Sequence, residues 1–136
     1  MIYDNLIINK TIFNNLVKFK KTKMPNAFIF HGNDGQGKEA HAIEFFGLLN
    51  CKSNNNFACG SCNSCLKTKK LQHEDLKIIF PLPKNKSINK NDSPLKALNN
   101  ESIKSMEQML EKKGKNPYFK IKLKNVNTIL INSIRE

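Results

Sequence analysis

A chain of 136 residues holds one domain at most, or a piece of a larger one, and this one sets 23 Lys and Arg against 11 Asp and Glu, a formal charge of +12 at pH 7. Lysine supplies almost all of it, Arg135 being the single arginine; a surface built to read phosphates or bases would favour arginine forks, so the charge points to nucleic acid only weakly. No run approaches the ~18 apolar residues of a membrane span, and residues 1–5 carry no secretory signal, so a cytoplasmic chain with reduced thiols is expected.

Taken in order, residues 7–12 are an extended lead-in to a helix capped by Asn9 or Thr11. Ile12, Leu16 and Phe19 recur at helical spacing, with Phe13 and Val17 widening the stripe. Lys18, Lys20, Lys21 and Lys23 close the helix as a solvated end, where positive charge suits its negative pole. Met24-Pro25 stops it, and residues 27–30 follow as a buried strand. Beyond a glycine-rich turn, residues 38–50 form a largely buried helix, with Ala42, Ile43, Phe46 and Leu49 on one side and Phe45 and Leu48 beside them. A polar loop over 52–57 leads to a cysteine-rich stretch, a short helix over 66–71 and a turn at His73-Glu74-Asp75. Residues 76–80 make a second strand, ended by Pro81 and Pro83.

Lys, Asn and Ser dominate 84–91, which with Asp92-Ser93-Pro94 reads as a loop. A helix from Asn100 to Lys113 carries Ile103, Met106 and Leu110 on its apolar stripe and stops at Gly114. After a turn at Asn116-Pro117, residues 118–123 alternate as a strand or ribbon and 126–131 are extended and apolar. Asn132 or Ser133 then caps the first turn of a helix running to Glu136. No internal repeat is visible.

Two stretches carry chemistry. The first is Phe30-His31-Gly32-Asn33-Asp34-Gly35-Gln36-Gly37-Lys38-Glu39, a strand, a glycine turn and a helix start laid out as a phosphate-binding loop. Glycines let backbone N–H groups curl around phosphates, and the helix N-terminus and a lysine add positive charge. Gly32, Gly35, Gly37 and Lys38 fill those positions, but Glu39 stands where a Ser or Thr hydroxyl would meet Mg²⁺. A carboxylate there opposes phosphate, so ATP hydrolysis is not expected, although the carboxylate itself can contact the metal.

The second is C-x7-C-x2-C-x2-C, formed by Cys51, Cys59, Cys62 and Cys65, with no cysteine elsewhere. Four thiols within fifteen positions match a structural four-cysteine zinc site, whose closed shell leaves no position for catalysis. A C-x2-C-x2-C run can also hold an iron–sulfur cluster, but the usual following Cys-Pro is absent. His73 is a competing ligand in principle and is read as a turn residue.

Together, a phosphate-loop helix running straight into these cysteines, then a His-x-Asp turn and a strand, resemble the first AAA+ domain of bacterial clamp-loader subunits, the delta-prime and gamma/tau subunits of DNA polymerase III. The resemblance covers residues 7 to about 83 and returns at 131–136. It implies an α/β fold, a RecA-like parallel sheet of order 5-1-4-3-2 flanked by helices, with an inserted four-cysteine zinc knuckle. Residues 1–136 would be the amino-terminal part of that domain, with a zinc module at 51–65 and a Lys/Asn-rich variable segment at 84–125. The strands at 27–30 and 76–80 would not be neighbours, and the strands between them would follow Glu136, so poor folding alone is expected.

Lys38-Glu39 resembles the degraded loop of the delta-prime branch, whereas the gamma/tau ATPase branch carries Lys-Thr or Lys-Ser. Asn9-Lys10, Asn26 and Glu74 depart from the family's Gly-Gln, His and Pro. The resemblance implies a non-catalytic subunit within the DNA-directed DNA polymerase holoenzyme that helps load the sliding clamp onto primed DNA during replication. Its partners would be gamma/tau, delta and the clamp, with DNA met through the complex and no membrane. The arginine that this branch gives to a neighbour's ATP site would lie beyond residue 136. Two other readings stay open. One is an ATP-hydrolysing gamma/tau-type subunit, against which Glu39 stands. The other is a small zinc-dependent nucleic-acid-binding module, against which stand phenylalanines at core-like positions, not interleaved with lysines as stacking platforms.

Overall fold

The computed structural model describes residues 1–20, 22–53, 55–123 and 126–135. Lys21 of the basic helix end, Asn54 of the polar loop, Lys124 and Asn125 of the variable segment and Glu136 lie outside them. The elements run α1 (Lys10–Phe19), α2 (Lys38–Asn50), α3 (Asn63–Lys69), a 3-10 turn (Pro94–Ala97), α4 (Asn100–Lys115) and α5 (Asn132–Arg135). Two compact units emerge, one of Met1–Leu76 with Gly114–Tyr118 and one of Lys77–Lys113 with Phe119–Glu136.

The expected parallel sheet is not there. Among the described residues no strand forms, so the AAA+ α/β architecture implied by the resemblance is overturned, and the regular structure is helical. Residues 27–30 take no regular structure, with Phe28 and Phe30 half-buried, yet Ile29 between them is 90% exposed. Residues 76–80 alternate in the same way, Ile78 and Phe80 half-buried and Ile79 exposed. The period-two pattern shows in the alternating burial, but the strands it predicts at 27–30 and 76–80 do not form. A strand also needs a neighbour's N–H and C=O groups, and no ladder pairs these segments. The ribbon expected over 118–123 does not form either: Tyr118 lies in a turn and 119–123 carry no assigned secondary structure.

In the first unit, α1 begins at Asn9, whose side chain accepts the Ile12 N–H at 3.1 Å and satisfies one orphan donor of the first turn. Its apolar face carries Phe13 and Leu16 onto Phe45 and Leu48 of α2. Rings close the cluster: Phe28 meets Phe45 edge-on at 5.4 Å, Phe19 meets Phe28 at 5.4 Å, and Phe57 stacks on Phe13 at 5.0 Å. Burying each such side chain contributes about 1.5–3 kcal/mol. Helix α2 is covered nearly all round, as its sequence predicts, and the buried set includes His41 and Glu44.

The second unit gathers Leu82, Leu98 and Leu123 under the half-buried Ile103, Met106 and Met109 of α4. Asn99 starts that helix by accepting the Ser102 N–H at 2.8 Å. The expected stop at Gly114 fails, because α4 continues to Lys115. A Cβ at Gly114 would come 2.6 Å from the Lys69 carbonyl oxygen, so the glycine permits a close approach and does not end the helix. The polar stretch after Pro83 is held by side-chain hydrogen bonds, from within and from α5. Asn132 of α5 donates its amide to the carbonyls of Asn89, Lys90 and Asp92 at 2.9, 3.2 and 2.9 Å.

Candidate metal centre and glycine loop

Both chemical features belong to the first unit. Cys51 is the C-cap of α2, Cys62 the N-cap of α3, and Cys65 sits in the first turn of α3. Cys59 reaches the same point through Gly60, whose φ of +74° is a left-handed turn that a side chain would strain. The four sulfur atoms lie within 4.8 Å of one another, and Cys59 and Cys65 Sγ are 3.8 Å apart. A tetrahedron with Zn–S bonds of about 2.3 Å has edges of about 3.8 Å, so these residues fit a divalent ion of that size.

Backbone N–H groups already aim at the sulfurs, from Cys59 and Ser53 to Cys51 at 3.3 and 3.4 Å, and from Cys62 to Cys59 at 3.3 Å. The N–H and hydroxyl of Ser61, with the Cys62 N–H, pull the Cys59 thiol down to about 5. Burial pushes Cys65 up to about 12, and the neighbouring thiols add to it. Burial also opposes ionisation of Cys51, but hydrogen bonds from Ser53 and Cys59 outweigh it and lower that thiol. Four close sulfurs cannot all ionise without a cation among them. His73 is not in this cluster. Its Nδ1 accepts the Asp75 N–H at 3.2 Å, so in the neutral ring the proton sits on Nε2, 3.0 Å from Ser64 Oγ. Ser64, His73 and Asp75 thus look like a hydrolytic triad in composition but hold the tautomer that cannot take the serine proton.

No strand leads into the glycine loop, in which Gly35 lies at φ +80°, Gly37 at φ +69° as the N-cap of α2, and Lys38 is that helix's first residue. The lysine is turned inward: its Nζ donates to the carbonyls of Gly32 and Asn33, both at 2.8 Å. The Gln36 side chain folds over Gly32, where a Cβ would come 2.5 Å from its Oε1. Glu39 lies in the first turn of α2, where the positive pole suits a carboxylate. Beside the loop opens a cavity of about 660 Å³, walled by Ile7, Ile8, Phe28, His31, Gly35, Gln36, Lys38 and Tyr118.

A family model described as DNA polymerase III, delta subunit, matches residues 8–132. The chain belongs to this DNA polymerase III family of clamp-loader type. No curated protein and no solved structure matches it. In this DNA polymerase III family member, sequence reasoning missed Tyr118 and His41. Tyr118 lies over Gly37 and accepts the Ile7 N–H through its hydroxyl at 3.0 Å. His41 accepts the Asn9 N–H at 3.3 Å and bonds the Gly37 carbonyl at 2.8 Å. Tyr118 follows Ile7 by 111 positions, and nothing local in the sequence signals that contact. His41 is one turn past the loop, and its (i, i−4) relation to Gly37 is a signal that helical spacing offers.

Proposed function

We propose that the chain is a non-catalytic subunit of the clamp loader, of the delta-prime type, working in the cytoplasm to help load the sliding clamp onto primed DNA. Its partners are then gamma/tau and delta, and DNA is met through the assembled complex. The observation that carries the non-catalytic reading is Lys38, whose ammonium is committed to the loop's own carbonyls. Glu39 beside it offers a carboxylate where a hydroxyl would be wanted. Phosphate binding at Gly32, Gly35, Gly37 and Lys38 would first have to break two charge-assisted hydrogen bonds, each worth about 1.5–3 kcal/mol.

In this reading Cys51, Cys59, Cys62 and Cys65 hold a structural zinc ion. Bound zinc would close its shell with four thiolates and act as a cross-link between the end of α2 and the start of α3. The family membership and the sulfur spacing support it. Two measurements test the proposal: ATP turnover by the purified chain, and its co-assembly with gamma/tau and delta subunits. No turnover with co-assembly is expected. Turnover that Lys38→Ala abolishes would instead establish the ATPase reading.

A further inference from the structure

Residues 1–3 form a strap whose seat is shared between α2 and the cysteine knuckle. Ile2 and Tyr3 are 0% and 1% exposed, although they stand at the start of the chain. Both of their N–H groups are bound by one carboxylate: Ile2 donates to Glu44 Oε1 and Oε2 at 3.1 and 2.9 Å, and Tyr3 to Oε2 at 3.2 Å. Glu44 is itself fully buried on α2. A buried carboxylate is tolerated only while its oxygens are hydrogen-bonded, so strap and carboxylate need each other.

The other half of the seat is the knuckle. Ile2 fills a notch at Gly47, where a Cβ would come 2.6 Å from its Cγ1 and 3.6 Å from the Ala58 methyl. Ala58 precedes Cys59 and is 2% exposed. The Met1 carbonyl oxygen lies 2.6 Å from where a Cβ on Gly60 would stand. Gly60 is the left-handed residue between Cys59 and Cys62. The loop conformation that brings these two sulfurs round to the cluster is therefore the one that receives Met1.

We infer that metal binding at the knuckle and docking of the residue 1–3 strap are thermodynamically coupled, with Glu44 a positioning residue that acts on the metal site through the strap. The inference rests on the zinc reading above. Without a metal to hold it, the turn through Gly60 relaxes and half of the seat is lost. Conversely, a strap held by Glu44 keeps that turn in its metal-ready form. Linkage makes the two effects equal in size.

The test uses the full chain, stripped with a chelator and titrated with Zn²⁺, with bound zinc and the exchange of the Ile2 and Tyr3 amides followed in the same samples. One zinc per chain and about tenfold greater protection of both amides are expected. Ile2→Ala and Glu44→Gln should then each weaken zinc binding by about tenfold. Leu16→Ala, which loosens the α1–α2 core without touching the strap, should leave zinc binding within about twofold. Should Glu44→Gln fail to fold, the milder Ile2→Ala carries the comparison. Zinc uptake with unchanged amide protection overturns the coupling and leaves the zinc reading intact, as does an equal loss of affinity in Leu16→Ala. Absence of zinc uptake overturns both.

Discussion

In the first unit, Phe13, Phe45, Leu16 and Leu48 are buried against one another, further phenylalanine rings close over them, and four thiols draw two helices to one point. The second unit rests on Leu82, Leu98 and Leu123 beneath one face of α4, with asparagine side chains tying the intervening chain. Charge differs in the same sense. The first unit sets eleven Lys and Arg against six Asp and Glu over 81 residues, and the second sets twelve against five over only 55. The second unit has more charge per residue to solvate and, among the described residues, fully buries fewer large apolar side chains, Leu82, Leu98 and Leu123. It is held instead by side-chain amides bonded to backbone, each contributing about 0.5–1.5 kcal/mol. The lesson is that two stretches of one lysine-rich chain reach order through different interactions.

Substitutions can sharpen that contrast or break it. The largest effect is expected from Cys65→Ser, which on the proposed zinc reading removes a fully buried thiolate and with it zinc-binding energy on the order of 10 kcal/mol. Zinc content should fall below one per chain, and amides of α3 should lose protection relative to those around Leu98. Equal protection in variant and parent would mean that the knuckle contributes nothing to the order of its unit. Next come the cores: Phe13→Ala should cost about 3–5 kcal/mol and Leu98→Ala about 2–5 kcal/mol, each read from amide exchange in its own unit. A cost under about 1 kcal/mol for Phe13→Ala would show that the phenylalanine cluster is looser than its burial implies.

Asn132→Ala should follow at about 1–3 kcal/mol, since it leaves three carbonyls without their shared donor. The measurement is the denaturant midpoint, and no change would argue that water replaces the amide. The smallest effect concerns pH. Burial raises the Glu44 carboxyl above its usual range, against the opposing pull of the Ile2 and Tyr3 N–H groups. The folded state then holds that proton more tightly than the unfolded chain. Its contribution is full below the unfolded carboxyl value and is lost as pH rises through the raised one. Glu44→Gln should flatten this part of a pH–stability profile, and an unchanged slope would assign it to other groups.

Local signals in the sequence carry through to the fold. Asn9 before an apolar stripe gives the start of α1, the covered pattern of residues 38–50 gives α2, and cysteine spacing gives the knuckle. Each is decided within about fifteen consecutive residues. The short helix expected over 66–71 begins earlier, at Asn63, because Cys62 caps it as part of the knuckle. What failed were statements that need a partner far away in the chain. Alternation over 27–30 and 76–80 is a one-segment signal that supplies no neighbouring strand, and no strand forms there. Glu44, read on a helix wheel, is a polar interruption, and its reason lies 42 and 41 residues upstream in the Ile2 and Tyr3 amides. Lys38 fits a phosphate loop by position, yet only the folded loop reveals that its own carbonyls take the ammonium.

The Asn132 clip has a consequence for how the second unit meets salt. Its amide does among three carbonyls what a small cation would do, but it carries no net charge. Beside it, Lys96 and Asp92 make an exposed ion pair at 2.7 Å, of the kind that counterions screen. Raising ionic strength therefore loosens the pair and leaves the clip in place. The loop it closes, in the more highly charged unit of the chain, keeps its shape while the lysines around it gather and release counterions.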